Sequence, residues 1–209
     1  METTTDPNHS WVFGRPANSP FAHPRGLIGT LAGRIMRRTN RQHEVADLLD
    51  VRPGHHVLEI GYGPGVLVGL LAERVGDGRV CGVDPSPEMR ELAVRGNRAA
   101  VRAGTVDLRL GSADATGFPD AAFDRVVTVN TVVFWPDLEA GMRELHRVTK
   151  PGGRVLIAWH GGSNPSRATR AHALPEHVLA RIEEAMAGVF TGVVRRELST
   201  LTAFTATRP

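Results

Sequence analysis

Residues 56–65 read His56-Val57-Leu58-Glu59-Ile60-Gly61-Tyr62-Gly63-Pro64-Gly65, an apolar run that ends in three closely spaced glycines. A short aliphatic run bounded by glycine reads as a buried strand, and the spacing of Val66–Val75 behind it is helical. Glycines at 61, 63 and 65 let the backbone turn sharply and approach a ligand with no Cβ in the way. Dinucleotide-binding proteins use a similar loop, but there a third glycine would stand at Val66. That departure, and Glu59 two positions before the first glycine, point away from NAD.

Outward from this loop, strands and helices alternate. Val80–Val83 reads as a second strand ending at Asp84, and Ser86 caps a helix expected over Pro87–Ala103, with Gly104 just past its end. Val106–Leu110 is a third strand, Arg125–Val129 a fourth, Pro136–Val148 a helix, Lys150–Gly153 a tight turn and Arg154–Trp159 a fifth strand. After a helix over Pro175–Ala187, Val193–Ser199 and Ala203–Thr207 suit an antiparallel hairpin. This alternation implies an α/β fold, a mostly parallel sheet with helices on both faces, and ligands beyond the carboxyl ends of the strands. Upstream, residues 1–24 read as an irregular arm. From Leu27 to about Leu49 the pattern is helical, with Leu27, Ile28, Leu31, Ile35 and Met36 opposite Arg34, Arg37, Arg38 and Arg41. The expected organisation is an N-terminal arm and helical lid over 1–44 and one domain over 45–209.

Three further elements complete the pattern. Asp84 ends the second strand, where a carboxylate can accept hydrogen bonds from two ribose hydroxyls. Gly111-Ser112-Ala113-Asp114 follows the third strand, where Asp114 can accept from an adenine amino group. Leu145–Arg154 runs from a helix end through Lys150-Pro151-Gly152-Gly153 into a strand. In this order and spacing the four elements resemble the class I S-adenosylmethionine (SAM)-dependent methyltransferases, over roughly residues 45–160. Thr149 stands where that family more usually has leucine, which leaves the turn intact. The resemblance implies a Rossmann-like sheet of seven strands with the last antiparallel, and SAM as cofactor with S-adenosylhomocysteine (SAH) as product. It assigns Glu59, Gly61, Gly63, Gly65, Asp84 and Asp114 to cofactor binding, and Tyr62, Pro85, Met89, Ala113, Asn130 and Thr131 beside them are further cofactor-binding candidates.

Composition narrows the class. Hydrophobic residues make up 41% and charged residues 22%, as in an ordinary globular chain. No apolar run approaches the roughly 18–20 residues of a membrane span, and the N-terminus lacks a secretory pattern. The lone Cys81 forms no internal disulfide, so a cytoplasmic location is expected. All but Lys150 of the 25 basic residues are arginine, the net charge is only +3, and the arginines are dispersed. This disfavours nucleic acid as partner.

Absent motifs narrow the acceptor. After the fourth strand the chain reads Asn130-Thr131-Val132-Val133-Phe134-Trp135, without the Asn/Asp-Pro-Pro-Tyr type motif of amino-methylating nucleic-acid enzymes. No Pro-Cys pair offers a cytosine C5 nucleophile. No acidic cluster flanks Asn130 to hold Mg²⁺, and no Cys/His set has zinc spacing, so no metal is expected. The reading is therefore a methyltransferase acting on a small organic, aromatic acceptor in bacterial specialised metabolism. C- or N-methylation of an indole alkaloid or cyclic dipeptide is one concrete candidate, by family analogy. Tyr62 and His160 are candidate catalytic groups; Trp11, Phe21, His23, Arg25, Phe134 and Trp135 are candidate acceptor contacts. Three alternatives stay open: a small-molecule O-methyltransferase with a histidine base, an rRNA or tRNA methyltransferase, and a SAM-binding protein without transfer. A homodimer is compatible with the apolar face of the lid helix.

Overall fold

The computed structural model describes residues 10–12 and 42–209. The expected lid helix over Leu27–Met36, with Phe21, His23 and Arg25, lies outside these residues. The described body begins with α1 (Gln42–Leu48) and continues through β1 (His56–Ile60), α2 (Val66–Ala72), β2 (Arg79–Asp84), α3 (Pro87–Gly96), α4 (Arg98–Arg102) and β3 (Val106–Leu110). It then runs through β4 (Phe123–Val129), a single 3₁₀ turn (Val132–Phe134), α5 (Leu138–Val148) and β5 (Thr149–His160). The last elements are α6 (Arg167–Arg170), α7 (Glu176–Ala187), β6 (Thr191–Glu197) and β7 (Leu201–Thr207). The strands form one sheet in the order β3-β2-β1-β4-β5-β7-β6. The first five are parallel, and β7 pairs antiparallel with both β5 and β6.

Strand residues alternate between two cores because successive side chains leave opposite faces. Leu58, Ile60, Val126, Val155 and Ile157 pack with α5 and α7 on one face. Val57, Val80, Val127 and Leu156 pack with α1, α2 and α3 on the other. Glu44 of α1 accepts from the Ser199 backbone N–H (2.8 Å), which ties this helix to the β6–β7 turn. No helix among the described residues is long and apolar enough to cross a membrane.

Two local expectations change. The helix expected over Pro87–Ala103 is broken at Asn97, whose backbone leaves the helical region (φ −113°, ψ 24°). Its side chain donates to the Ala93 and Gly65 carbonyls, each at 2.9 Å. The turn expected at Lys150–Gly153 is instead part of β5. The N–H of Gly152 donates to the Arg208 carbonyl and that of Arg208 to the Gly153 carbonyl, both at 2.9 Å, extending the pairing into the C-terminal tail.

Candidate functional site

The glycine loop joins the end of β1 to the start of α2. Gly63 has φ +50°, and a Cβ built there would meet nothing within 4 Å. The backbone is thus held in a conformation that favours glycine beside open space, the form of a cradle for a closely approaching ligand. Gly65 (φ +74°) serves packing instead, since a Cβ there would lie 2.8 Å from the Ala93 Cβ and 2.7 Å from Asn97 Nδ2. Asn97 therefore clamps the loop to α3, a role invisible in the sequence because the helical pattern runs straight through it.

Asp84 closes the loop from the side. Its Oδ2 accepts from the Gly63 N–H and its Oδ1 from the Ser86 N–H, both at 2.9 Å. Burial raises its pKa to about 6, against the opposing pull of those two N–H groups. Each oxygen retains a lone pair for a further donor. Glu59 lies buried one residue before the end of β1. Desolvation, and then the neighbouring Asp84 charge, hold its pKa well above the usual carboxylate range.

Among the described residues four buried side-chain polar atoms lack a hydrogen-bond partner: Gln42 Oε1 on α1, and three at the ligand edge, Glu59 Oε2, Asn130 Oδ1 and His160 Nδ1. These three belong to the carboxyl ends of β1, β4 and β5, three neighbours in the sheet. Buried polar groups are otherwise nearly always paired, so three orphans along one edge point to a polar molecule there. Asn130 is also held at φ +59°, while its N–H donates to the Ala158 carbonyl (2.8 Å). That conformation is sparsely used by residues other than glycine, although asparagine tolerates it best.

The other candidates divide. Met89 is buried beneath the Ser86 cap, Ala113 is buried, and Pro85 and Asp114 are exposed. Gly61 lies against Thr131, whose hydroxyl also hydrogen-bonds that of Thr128. Two candidate side chains are placed in the core. Tyr62 is buried: its ring packs over Gly82 and its hydroxyl donates to the Arg109 carbonyl (3.1 Å). Only its backbone belongs to the loop. Trp135 is the second. It lies buried against Gly141 of α5, with Nε1 donating to the Thr131 hydroxyl (3.2 Å).

Phe134, by contrast, is half-buried and opens a row of rings at the carboxyl ends of β4 and β5. It meets Trp159 at 5.6 Å, Trp159 meets His160 at 5.7 Å, and His160 meets His172 at 5.8 Å. The Trp159 Nε1–H donates to the His172 carbonyl (2.7 Å), fixing the loop after β5 beside the row. Burial, and then His172, lower the His160 pKa to about 4. Trp11 docks alongside, its N–H donating to the Trp135 carbonyl (3.1 Å) and its Nε1–H to that of Val132 (2.7 Å). Ser10 Oγ donates to the Val133 carbonyl (2.5 Å). His172 and Ser10 carried no sequence signal, because only the tertiary fold brings them to this edge.

A second buried network supports the site from below. Glu144 of α5 accepts from the Thr116 N–H (2.9 Å) and hydroxyl (2.5 Å) and from Arg147 through Nε and Nη2, each at 2.7 Å. Burial opposes ionisation of Glu144, but these donors outweigh it and its pKa is lowered. The bonds fix the loop that follows Ala113 and Asp114.

Comparison with known proteins agrees with this geometry. A methyltransferase-domain family model matches residues 58–157. The uncharacterized methyltransferase YdaC of Bacillus subtilis is 32% identical over 129 residues, covering 61% of this chain and 69% of YdaC. The chain belongs to the class I SAM-dependent methyltransferases. This methyltransferase is also 34% identical over 143 residues to the nocamycin O-methyltransferase of Saccharothrix syringae, spanning 68% of the chain but 49% of that relative. A SAM-dependent methyltransferase from Aquifex aeolicus shares the fold, with a TM-score of 0.66 at 18% identity over 84% of this chain and 97% of that one.

The residues present fit SAM as the methyltransferase's cofactor. Gly63 leaves the space a ligand would fill, Asp84 offers paired acceptor oxygens, and Glu59 and Asn130 carry the orphaned acceptors. Among the described residues no three His, Cys, Asp or Glu side chains cluster to hold a metal.

Proposed function

We propose that this methyltransferase methylates a small aromatic acceptor, in a setting of bacterial specialised metabolism. The observation that carries the reading is the ring row from Phe134 to His172, which starts directly beyond the strand end that carries Asn130. A flat apolar molecule gains most from such a wall, through area burial and edge-to-face contact. The relative named for nocamycin O-methylation supports a small acceptor.

SAM, when bound, supplies a methyl group activated on a sulfonium. The chain's own residues bind and orient. Gly63 and Asp84 hold the nucleoside side, Glu59 and Asn130 face the other end, and the rings place the acceptor. Such alignment can contribute about 7–11 kcal/mol to the rate. His160 at a pKa of about 4 is neutral at physiological pH but a weak proton acceptor. This favours a ring carbon or nitrogen that reacts first and loses its proton afterwards, over a hydroxyl needing prior deprotonation. O-methylation with His160 as base is the second reading, favoured by its orphaned Nδ1.

The test is SAH release from SAM against a panel of indoles, phenols, aliphatic alcohols and amines, and RNA. Release dependent on the aromatic members supports the proposal, and release driven only by RNA or by aliphatic acceptors refutes it.

A further inference from the structure

Resting on that reading, one atom specifies the acceptor more closely. His160 Nδ1 is buried and has no hydrogen-bond partner among the described residues. The ring is wedged between Trp159 and His172. His172 is held there through its own backbone, whose carbonyl accepts from the Trp159 indole. Among the described residues His160 forms no ion pair, and burial keeps its ring a neutral hydrogen-bonding group inside an aromatic row. In the tautomer protonated at Nε2, Nδ1 presents a lone pair with nothing to receive.

We propose that His160 Nδ1 accepts a hydrogen bond from the methyl acceptor itself, and that this acceptor is a neutral aromatic ring carrying its own N–H or O–H donor. His172 is a positioning residue, setting the plane of the His160 ring. The row then has a division of labour: the half-buried Phe134 takes the apolar body of the acceptor, the buried Trp159 backs it, and the histidine end reads its polar edge. A ring whose donor hydrogen is already replaced by methyl would leave Nδ1 unpaired, and sites built to pair a substrate donor discriminate strongly against analogues that lack it.

The experiment uses the full chain saturated with SAH and two matched probe pairs: indole with 1-methylindole, and 2-naphthol with 2-methoxynaphthalene. Affinities are read by calorimetry, and the His160 side-chain nitrogens by long-range ¹H–¹⁵N NMR, assigned with His160→Phe. The N–H or O–H probe of at least one pair should bind at least fivefold more tightly than its methylated twin and shift the His160 Nδ1 signal. His160→Phe keeps the ring and should reduce the preference to within twofold. His172→Ala should weaken the preference while SAH affinity is unchanged. Equal binding within both pairs, or a preference that survives His160→Phe, overturns the proposal while leaving the aromatic-acceptor reading intact. If none of the four probes binds although SAH does, the aromatic-acceptor reading falls, and this inference with it. An unchanged preference in His172→Ala removes the positioning role.

Discussion

Replacing Asp84 with asparagine isolates the carboxylate that joins the glycine loop to β2. Both oxygens accept a backbone N–H, from Gly63 and from Ser86, each at 2.9 Å. An amide offers one oxygen, so one of these buried N–H groups must lose its partner and face an NH₂. Leaving such a group unsatisfied costs about 1–3 kcal/mol of stability. The same change removes the charge that strengthens hydrogen bonds from a ribose diol, worth about 1.5–3 kcal/mol. At 1.36 kcal/mol per tenfold, SAH affinity should fall about 10- to 150-fold. Calorimetry with SAH reads the affinity, and urea unfolding confirms that the variant remains folded. The wild type adds a pH test. The Asp84 pKa is raised to about 6, so the ionised, diol-accepting form dominates above that pH and is lost below it. Affinity should be flat above about pH 6 and fall by up to about tenfold per unit beneath it. A folded Asp84→Asn protein that binds SAH within twofold of wild type would refute the assignment.

Gly63→Ala places a methyl in space that is otherwise open, so it should unfold at a urea midpoint close to wild type, displaced only by about 1 kcal/mol of left-handed backbone strain. It should nevertheless lose SAH binding by more than tenfold, and retained affinity would contradict the cradle. Glu144→Ala strands Thr116 and Arg147, and should cost about 2–3 kcal/mol in urea unfolding; a loss under 0.5 kcal/mol, on the order of a surface substitution, would contradict the network's role. Turnover should survive EDTA, and activity lost to the chelator and restored by Mg²⁺ would contradict metal-independent transfer.

The sheet was legible because its strands are short aliphatic runs, several of which stop at glycine or aspartate, and their length and flanking residues separate them from helices. Glu59, Gly63 and Asp84 were legible for a related reason: loop chemistry fixes residue type at fixed offsets from a strand end. Side-chain direction was not. Tyr62 and Trp135 sit beside the motifs in sequence, but the local backbone turns both rings into the cores, against Gly82 and Gly141. The break at Asn97 depends on the Gly65 carbonyl 32 positions away. The β5 extension likewise depends on pairing between Gly152 and the tail at Arg208. The ring row draws on residues 134, 159, 160 and 172, joined only by the pairing of β4 with β5 and the loop that follows.

The most direct measurement of the central claim uses SAM carrying a trideuterated methyl group. The protein is incubated with it beside a bacterial small-molecule extract and, in parallel, beside total RNA, and both reactions are followed by mass spectrometry. The account requires the deuterated methyl to appear in a small aromatic compound, with SAH formed in equal amount and the RNA unlabelled. Label confined to RNA, or SAM recovered intact from both reactions although calorimetry shows it bound, would contradict it.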